Sequence, residues 1–126
     1  MKLQEINTYK HLMYNVTPEV QARAEKEFKR LMVDITKFAP GPFKSIDGGP
    51  FYLEAASPEK GYMEINLMDP DTRGSDPYVY VKWNRVSEDD AKEFGLYLRS
   101  QGWKLKTTQH VSKSAGIMLQ ADIYLF

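Results

Sequence analysis

The sequence predicts an α+β fold in which one mostly antiparallel sheet carries two helices on a single face. Residues 17–38 and 87–102 space their apolar side chains at intervals of three and four, as amphipathic helices do. Much of the chain after residue 50 alternates apolar and polar residues with a period of two, which is typical of half-buried strands. With 126 residues, 42% of them hydrophobic, the chain is expected to form a single domain over residues 1–126.

The first helix is predicted to begin after Thr17, because threonine can cap a helix and Pro18 suits the first turn. The prolines between Ala39 and Phe43 end it, since proline cannot continue a helix. A loop through residues 48–50 then leads to the sheet. The inward face of the helix is predicted to consist of Val20, Ala24, Phe28, Leu31, Ile35 and Phe38.

Two strands at residues 51–56 and 61–68 are predicted to form a hairpin. The turn from Ser57 to Gly61 has an early proline and a final glycine, which favours a type I turn closed by a left-handed residue. The stretch that follows contains three aspartates and a glycine before an alternating run at residues 78–83. We interpret it as a connecting loop followed by a third strand.

A second helix is predicted to begin at Ser87, because three acidic residues follow this capping serine. Gly102 is the expected terminator. Residues 103–111 and 116–126 are predicted to form a second hairpin around the turn Ser112–Gly116. The inward residues of this helix are predicted to be Ala91, Phe94, Gly95 and Leu98.

The two halves of the chain, residues 9–68 and 77–126, share several features. Each helix follows a valine and a hydroxyl residue, each contains Lys-Glu-Phe, and each hairpin turn reads Ser-x-x-x-Gly. If residues 11–16 form a strand, the order strand–helix–strand–strand occurs twice, which would indicate a duplicated β-α-β-β unit. The alternative is an unrelated α+β chain with two similar hairpins. In element order alone, the chain resembles the duplicated domains of gyrase-inhibitor-like effector-binding proteins and TATA-box-binding proteins. Because the resemblance is limited to the order of the elements, it assigns a functional role to no residue of this sequence.

Alternation also predicts which side chains each face of the sheet carries. One face is nearly all apolar and should lie under the helices; it comprises Phe51, Leu53, Ala55, Met63, Ile65, Leu67, Val79, Val81, Trp83, Ile117, Leu119, Ala121, Ile123 and Leu125. The other face is polar and rich in tyrosine, and two helices cannot cover both sides of such a sheet. Besides the candidate binding residues given below, this second face should include Asn66, Met68, Thr108, Gln120, Asp122 and Phe126.

The tyrosine-rich face is the candidate binding site. Tyrosine combines a large contact area with few rotatable bonds and a polar tip, and it is enriched at binding surfaces. The alternative is structural, because tyrosine favours strands and cross-strand aromatic pairs stabilise a sheet without any partner. The predicted binding residues are Tyr52, Glu54, Tyr62, Glu64, Tyr78, Tyr80, Lys82, Lys104, Lys106 and Tyr124.

The aspartate-rich loop has a spacing close to that of a calcium loop. An EF-hand, however, requires an oxygen ligand where Arg73 lies and a bidentate glutamate where Tyr80 lies. His11 and His110 have no partner spaced for zinc and are expected at the surface or in a hairpin. We therefore predict no metal site and no cofactor.

No sequence motif indicates a nucleophile or a phosphate-binding loop. Glu54 and Glu64 could face each other across the first hairpin, as paired carboxylates do in glycosidases, but exposed strand acids are far commoner. We therefore predict no catalytic residue and a protein that is not an enzyme.

Composition excludes further classes. Lysine plus arginine and aspartate plus glutamate number 17 each, and this balance argues against duplex-DNA binding driven by charge and against an acidic DNA mimic. There is no cysteine, which excludes disulfides and thiol chemistry. Because no apolar run resembles a signal peptide or a membrane span, we expect a cytoplasmic protein.

The predicted function is therefore non-catalytic binding of a protein partner, or of a second copy, through the tyrosine-rich face. A phage-type accessory or inhibitor protein would fit this description. One alternative is binding of single-stranded nucleic acid by base stacking, with Lys82, Lys104 and Lys106 near phosphates. Another is binding of a small effector ligand in a cleft between the two halves.

Overall fold

The computed structural model describes residues 12–112 and 116–126 and has the predicted α+β fold. The helices are α1 (Pro18–Ile35) and α2 (Glu88–Ser100). The strands are β1 (Lys44–Ser45), β2 (Tyr52–Ser57), β3 (Gly61–Met68), β4 (Tyr78–Val86), β5 (Lys104–Ser112) and β6 (Gly116–Tyr124). They form one six-stranded sheet in the order β1-β2-β3-β4-β6-β5, in which every neighbouring pair is antiparallel.

Both helices begin at their predicted caps. The Thr17 hydroxyl accepts a hydrogen bond from the backbone N–H of Val20 at 3.2 Å. The Ser87 hydroxyl accepts one from the backbone N–H of Asp90 at 3.1 Å. Each cap satisfies a backbone donor that the first helical turn leaves without an internal partner.

The helix ends differ slightly from the prediction. α1 ends at Ile35, so Phe38 follows it in a turn, but its ring still packs against Phe94 with centroids 5.6 Å apart. Gly102 follows α2 with a φ of 94°, in the left-handed region where glycine ends helices without steric cost. Within residues 12–112 and 116–126, neither helix has the length and apolar character needed to cross a membrane.

The apolar face of the sheet lies under both helices, as predicted. Phe28 of α1 meets Phe51 edge to face with centroids 5.2 Å apart, and Phe94 of α2 meets Trp83 at 5.7 Å. Removing a fully buried ring of this kind typically costs about 3–5 kcal/mol. Of the predicted inner residues, Leu53 and Ile117 are only partly buried. The other residues predicted for this face are buried: Phe51, Ala55, Met63, Ile65, Leu67, Val79, Val81, Trp83, Leu119, Ala121, Ile123 and Leu125.

The two hairpin turns meet at an irregularity in β4. Gly61 and Gly116 close the turns with φ values of 85° and 80°. The pairing of β4 with β6 shifts between Asn84 and Val86, and Arg85 there has a φ of 57°. The backbone at this bulge passes close to Gly61, where a Cβ would collide with the carbonyl oxygen of Asn84. Residues 113–115 of the second turn lie outside the described residues.

Three features differ from the sequence prediction. β1 occupies a segment that was expected to be a loop. Residues 12–17 contain no strand, and His11 lies outside the described residues, so the duplicated unit lacks its expected first strand and is not confirmed. Phe126 was expected on the outer face, but β6 ends at Tyr124, two residues before it. The Phe126 ring instead lies 4.1 Å from the guanidinium carbon of Arg23 of α1.

Candidate binding face

The sheet face opposite the helices carries all the predicted binding residues. In β3 and β4 the inward residues are buried, whereas the residues between them are half-buried. β5 lies at the edge of the sheet and is mostly exposed. We call the outward-pointing residues of β2 to β6 the open face.

Strand register arranges the open face in cross-strand rows. One row runs Glu54, Glu64, Lys82, Gln120 and Thr108. The next row runs Tyr52, Asn66, Tyr80, Asp122 and Lys106. A third row runs Met68, Tyr78, Tyr124 and Lys104. Residues that are up to 72 positions apart in sequence thus form one continuous surface.

The hairpin of β2 and β3 holds two crossed tyrosine–glutamate pairs. Glu54 and Glu64 lie opposite each other in register, as the sequence suggested. The Tyr62 hydroxyl donates a hydrogen bond to Glu54 Oε1 at 2.6 Å, and the Tyr52 hydroxyl donates one to Glu64 Oε1 at 3.2 Å. Each carboxylate therefore has a diagonal phenol partner, which fixes both rings on the sheet surface.

These pairs raise the pKa values of both phenols. The hydrogen bond to Glu54, assisted by burial, raises the pKa of Tyr62 well above its ordinary value. The negative charge of Glu64, followed by the hydrogen bond to it, raises the pKa of Tyr52. Both phenols are therefore neutral donors at physiological pH, as their bonds to carboxylates require.

Two further tyrosines form the third row. Tyr78 and Tyr124 are direct cross-strand partners on β4 and β6. Burial, and then the nearby charge of Asp122, raise the pKa of Tyr78. Tyr124 is 44% exposed, which makes it the most accessible of the predicted tyrosines. This end of the open face thus offers an aromatic surface to a partner.

A series of polar side-chain contacts runs across β5, β6 and β4. His110 Nε2 lies 3.1 Å from Gln120 Oε1, and Gln120 Nε2 donates a hydrogen bond to the Tyr80 hydroxyl at 2.7 Å. Beside it is a shallow depression of about 230 Å³, lined partly by Lys106 and Asp122. His110 was expected at the surface or in a hairpin, and it lies in the hairpin of β5 and β6. Its contact with Gln120 was not predictable, because that contact depends on the strand register.

The charges of the open face are separated by strand. β2 and β3 contribute Glu54 and Glu64 and no basic residue, whereas β5 contributes Lys104 and Lys106 and no acidic residue. Lys82 is the direct cross-strand neighbour of Glu64, and Asp122 is the direct cross-strand neighbour of Lys106. Among the residues that the structure describes, no ion pair joins any two of these open-face charges.

A second depression lies at the β1 edge of the sheet, and no binding residue was predicted in β1. Its volume is about 350 Å³, and its lining includes Pro42, Lys44, Glu54 and Tyr62. Lys44 stands opposite Glu54 in register. Nothing in the sequence pattern could have indicated this contribution, because a strand of two residues has no alternation to detect.

The aspartate-rich loop serves as an anchor for the segment that precedes α1. The carboxylate of Asp69 accepts hydrogen bonds from the backbone N–H groups of Tyr14 at 2.9 Å and Asn15 at 3.2 Å. Gly74 of the same loop donates its N–H to the Asn15 carbonyl at 3.1 Å. In the part of the chain that the structure describes, no three histidine or acidic side chains gather in a way that could hold a metal ion.

A cleft of about 450 Å³ lies between this anchored segment and the loop, away from the open face. Its lining includes Tyr14, Val16, Arg73 and Asp76, none of which was a predicted binding residue. The ten predicted residues, in contrast, share one surface of aromatic rings, carboxylates and lysines. No protein-family model, curated protein or solved structure matches this chain.

Proposed function

We propose that this protein is a non-catalytic binding protein that docks a protein surface on its open face. One observation supports this most directly. On the open face, half-buried tyrosines lie beside charged side chains that form no ion pairs with one another. Both helices pack on the other side of the sheet, where Phe28 meets Phe51 and Phe94 meets Trp83. The lack of cysteine suits a reducing, cytoplasmic compartment.

The hydrogen bonds within the open face prepare it for binding. Tyr52, Tyr62 and Tyr80 are each tied to a neighbour through the hydroxyl group. A ring that is already fixed loses less conformational entropy when a partner packs against it. The surrounding charges would supply specificity and faster association rather than most of the affinity.

The open face favours a protein over single-stranded nucleic acid. Glu54 and Glu64 lie among the tyrosines on which bases would stack, and their charges repel phosphates. An effector cleft between the halves is also disfavoured. The halves meet along the β3–β4 ladder, which runs from Tyr62 with Asn84 to Met68 with Tyr78.

Site-specific photo-cross-linking tests the proposal. A photoreactive amino acid replaces Tyr80 at the centre of the open face, and in a matched control it replaces Leu96. Leu96 is 57% exposed on α2 and lies on the other side of the molecule. The labelled proteins are irradiated in lysate from the source cells, and adducts are identified by mass spectrometry.

We expect protein adducts at position 80 that are absent or much weaker at position 96. An adduct with a second copy and an adduct with a different protein both support the proposal. Adducts with nucleic acid alone would replace it with the stacking alternative. Equal labelling at both positions, or no adduct at position 80, would refute it.

A further inference from the structure

We infer that Asp47 is a site of covalent modification, at which the residue isomerises spontaneously to isoaspartate through a succinimide. Asp47 and Gly48 lie in the loop that joins β1 to β2, and both are exposed. Neither the reaction nor its site depends on the proposed function.

The reaction needs only the side chain of Asp47 and the backbone of Gly48. The Gly48 nitrogen attacks the carboxyl carbon of Asp47, so that a C–N bond forms and a C–O bond breaks. The amide hydrogen and the carboxyl OH leave together as one molecule of water. Water then opens the succinimide ring at either of its carbonyl groups. Opening at the main-chain carbonyl leaves isoaspartate, whereas opening at the other carbonyl restores aspartate.

Gly48 leaves the attacking nitrogen unhindered. It has no Cβ, and nothing lies within 4 Å of the position that a Cβ would take. Within the described residues, no hydrogen bond engages the Gly48 N–H, so none has to break before the attack. Glycine also changes its backbone conformation at little steric cost, which lets the loop reach the geometry of ring closure.

The carboxyl group of Asp47 is held against the loop backbone. Asp47 Oδ1 accepts a hydrogen bond from the Gly49 N–H at 3.0 Å, as aspartates in turns often do. The Ser45 hydroxyl lies 3.4 Å from the same oxygen. Donors placed in this way stabilise the negative charge that Oδ1 gains when the nitrogen attacks. Oδ1 is therefore the oxygen that stays, and Oδ2 leaves with the water.

No other aspartate of the chain combines these features. Asp69 and Asp76 precede prolines, whose nitrogen has no hydrogen to lose. Asp71 is exposed, but a threonine follows it, and the branched Cβ of threonine crowds the attacking nitrogen. The remaining aspartates lie in a helix or a strand, where the backbone is fixed: Asp34, Asp89, Asp90 and Asp122.

The product should disturb the β1 edge of the sheet, because an isoaspartyl link adds one carbon atom to the main chain. The loop is held by a hydrogen bond from the Ile46 N–H to the Tyr52 carbonyl at 2.9 Å. β1 ends directly before Ile46 and places Lys44 opposite Glu54. We therefore expect isomerisation to loosen β1 from β2.

Incubation of the folded chain for several weeks at physiological temperature and pH tests this inference, with isoaspartate located by peptide mapping. D47E is the matched control, because glutamate keeps the charge but has to close a less favourable six-membered ring. A second variant, Leu31→Ala, lowers the global stability from a fully buried position in α1. Hydrogen exchange at the Ile46 amide reports on β1.

We expect isoaspartate at position 47, at least about tenfold less at position 71, and none at position 47 in D47E. Leu31→Ala should react at the wild-type rate, because the loop reacts in the folded state. A route through global unfolding would instead be about a hundredfold faster in this variant. The Ile46 amide should exchange faster in the isomerised chain than in the unmodified chain.

A folded chain that forms no isoaspartate at position 47 would overturn this inference. Equal formation at positions 47 and 71, or a strong acceleration in Leu31→Ala, would overturn it as well. In either case the geometry of the loop would not determine the site of reaction.

Discussion

At the scale of single residues, the tyrosines of the open face are held by specific acceptors. Tyr62 illustrates this best, because its hydroxyl donates to Glu54 at 2.6 Å across the β2–β3 hairpin. The bond requires a protonated phenol, so its contribution to stability must depend on pH. The folded protein holds this proton to a higher pH than the unfolded chain, since the pKa of Tyr62 is raised from 10.0.

We expect the free energy of unfolding to fall as the pH rises above about 10, because the unfolded chain then releases the Tyr62 proton while the folded state retains it. The contribution of Tyr62 is complete below the unfolded pKa and is lost as the pH approaches the folded pKa. Tyr62→Phe should lower stability by about 1 kcal/mol at pH 7 and should make the alkaline decline shallower. Urea denaturation at neutral and alkaline pH measures both effects.

Tyr124→Phe is the matched control, because Tyr124 is the most exposed of the open-face tyrosines, at 44%. It should lower the stability at pH 7 by much less than Tyr62→Phe does. If Tyr62→Phe and Tyr124→Phe behave alike, the Tyr62–Glu54 bond does not stabilise the protein in solution.

At the scale of secondary-structure elements, the bulge in β4 explains why the first hairpin turn ends in glycine. Gly61 has a φ of 85° and also lies against the backbone of Asn84 and Arg85. Two separate constraints therefore require glycine at position 61: a left-handed backbone conformation and the lack of space for a Cβ. Gly48 has a φ of 90° but nothing within 4 Å of the position that a Cβ would take, so only the left-handed conformation favours glycine there.

We expect Gly61→Ala to destabilise the protein by about 3 kcal/mol, because left-handed strain and a collision with the neighbouring strand add together. Gly48→Ala should cost only about 1 kcal/mol, the strain alone. Chemical denaturation of both variants gives the difference. Equal losses would mean that β4 moves away from the turn without cost, contrary to the packing described above.

At the scale of the whole molecule, β4 joins the two halves into one sheet. It pairs with β3 on one side and with β6 on the other. The first helix is tied to the second half as well, because Trp103 Nε1 donates to Asp34 Oδ2 at 2.8 Å and Arg30 lies 4.2 Å over the Trp103 ring. These contacts cross the proposed boundary between residues 9–68 and 77–126, so the halves should unfold together.

We expect a single cooperative unfolding transition, with the same midpoint by far-UV circular dichroism and by tryptophan fluorescence. Leu31→Ala, a fully buried change in α1, should lower stability by about 3 kcal/mol and shift both signals equally. Trp83 and Trp103 both lie in the second half of the chain. A Leu31→Ala transition that moves the dichroism signal but not the fluorescence would show two independent units instead.

Much of this architecture was predictable because it depends on local periodicity. The helix caps at Thr17 and Ser87, the hairpin glycines and the buried face of the sheet all follow from patterns within a few residues. β1 could not be predicted, since its two residues carry no period. The end of β6 was also missed: Phe126 continues the alternation, yet its ring lies against Arg23 of α1.

The sequence predicted which residues lie on the open face, but not which of them contact one another. Alternation assigned the tyrosines, acids and lysines to one side, and this depends only on the two-residue period of a strand. The strand order was not accessible, and it alone decides that Tyr80 meets Gln120 and that His110 joins them.

The amino-acid sequence by itself determined the two helices, the longer strands, the apolar core and the tyrosine-rich side, because each is written in the spacing of neighbouring residues. The tertiary structure alone decided which strands are adjacent, and with that the crossed tyrosine–glutamate pairs and the anchoring of residues 14 and 15 by Asp69. The physical reason is that contacts between distant segments depend on how the sheet is ordered. Local periodicity specifies the direction of each side chain but not the neighbour that it meets.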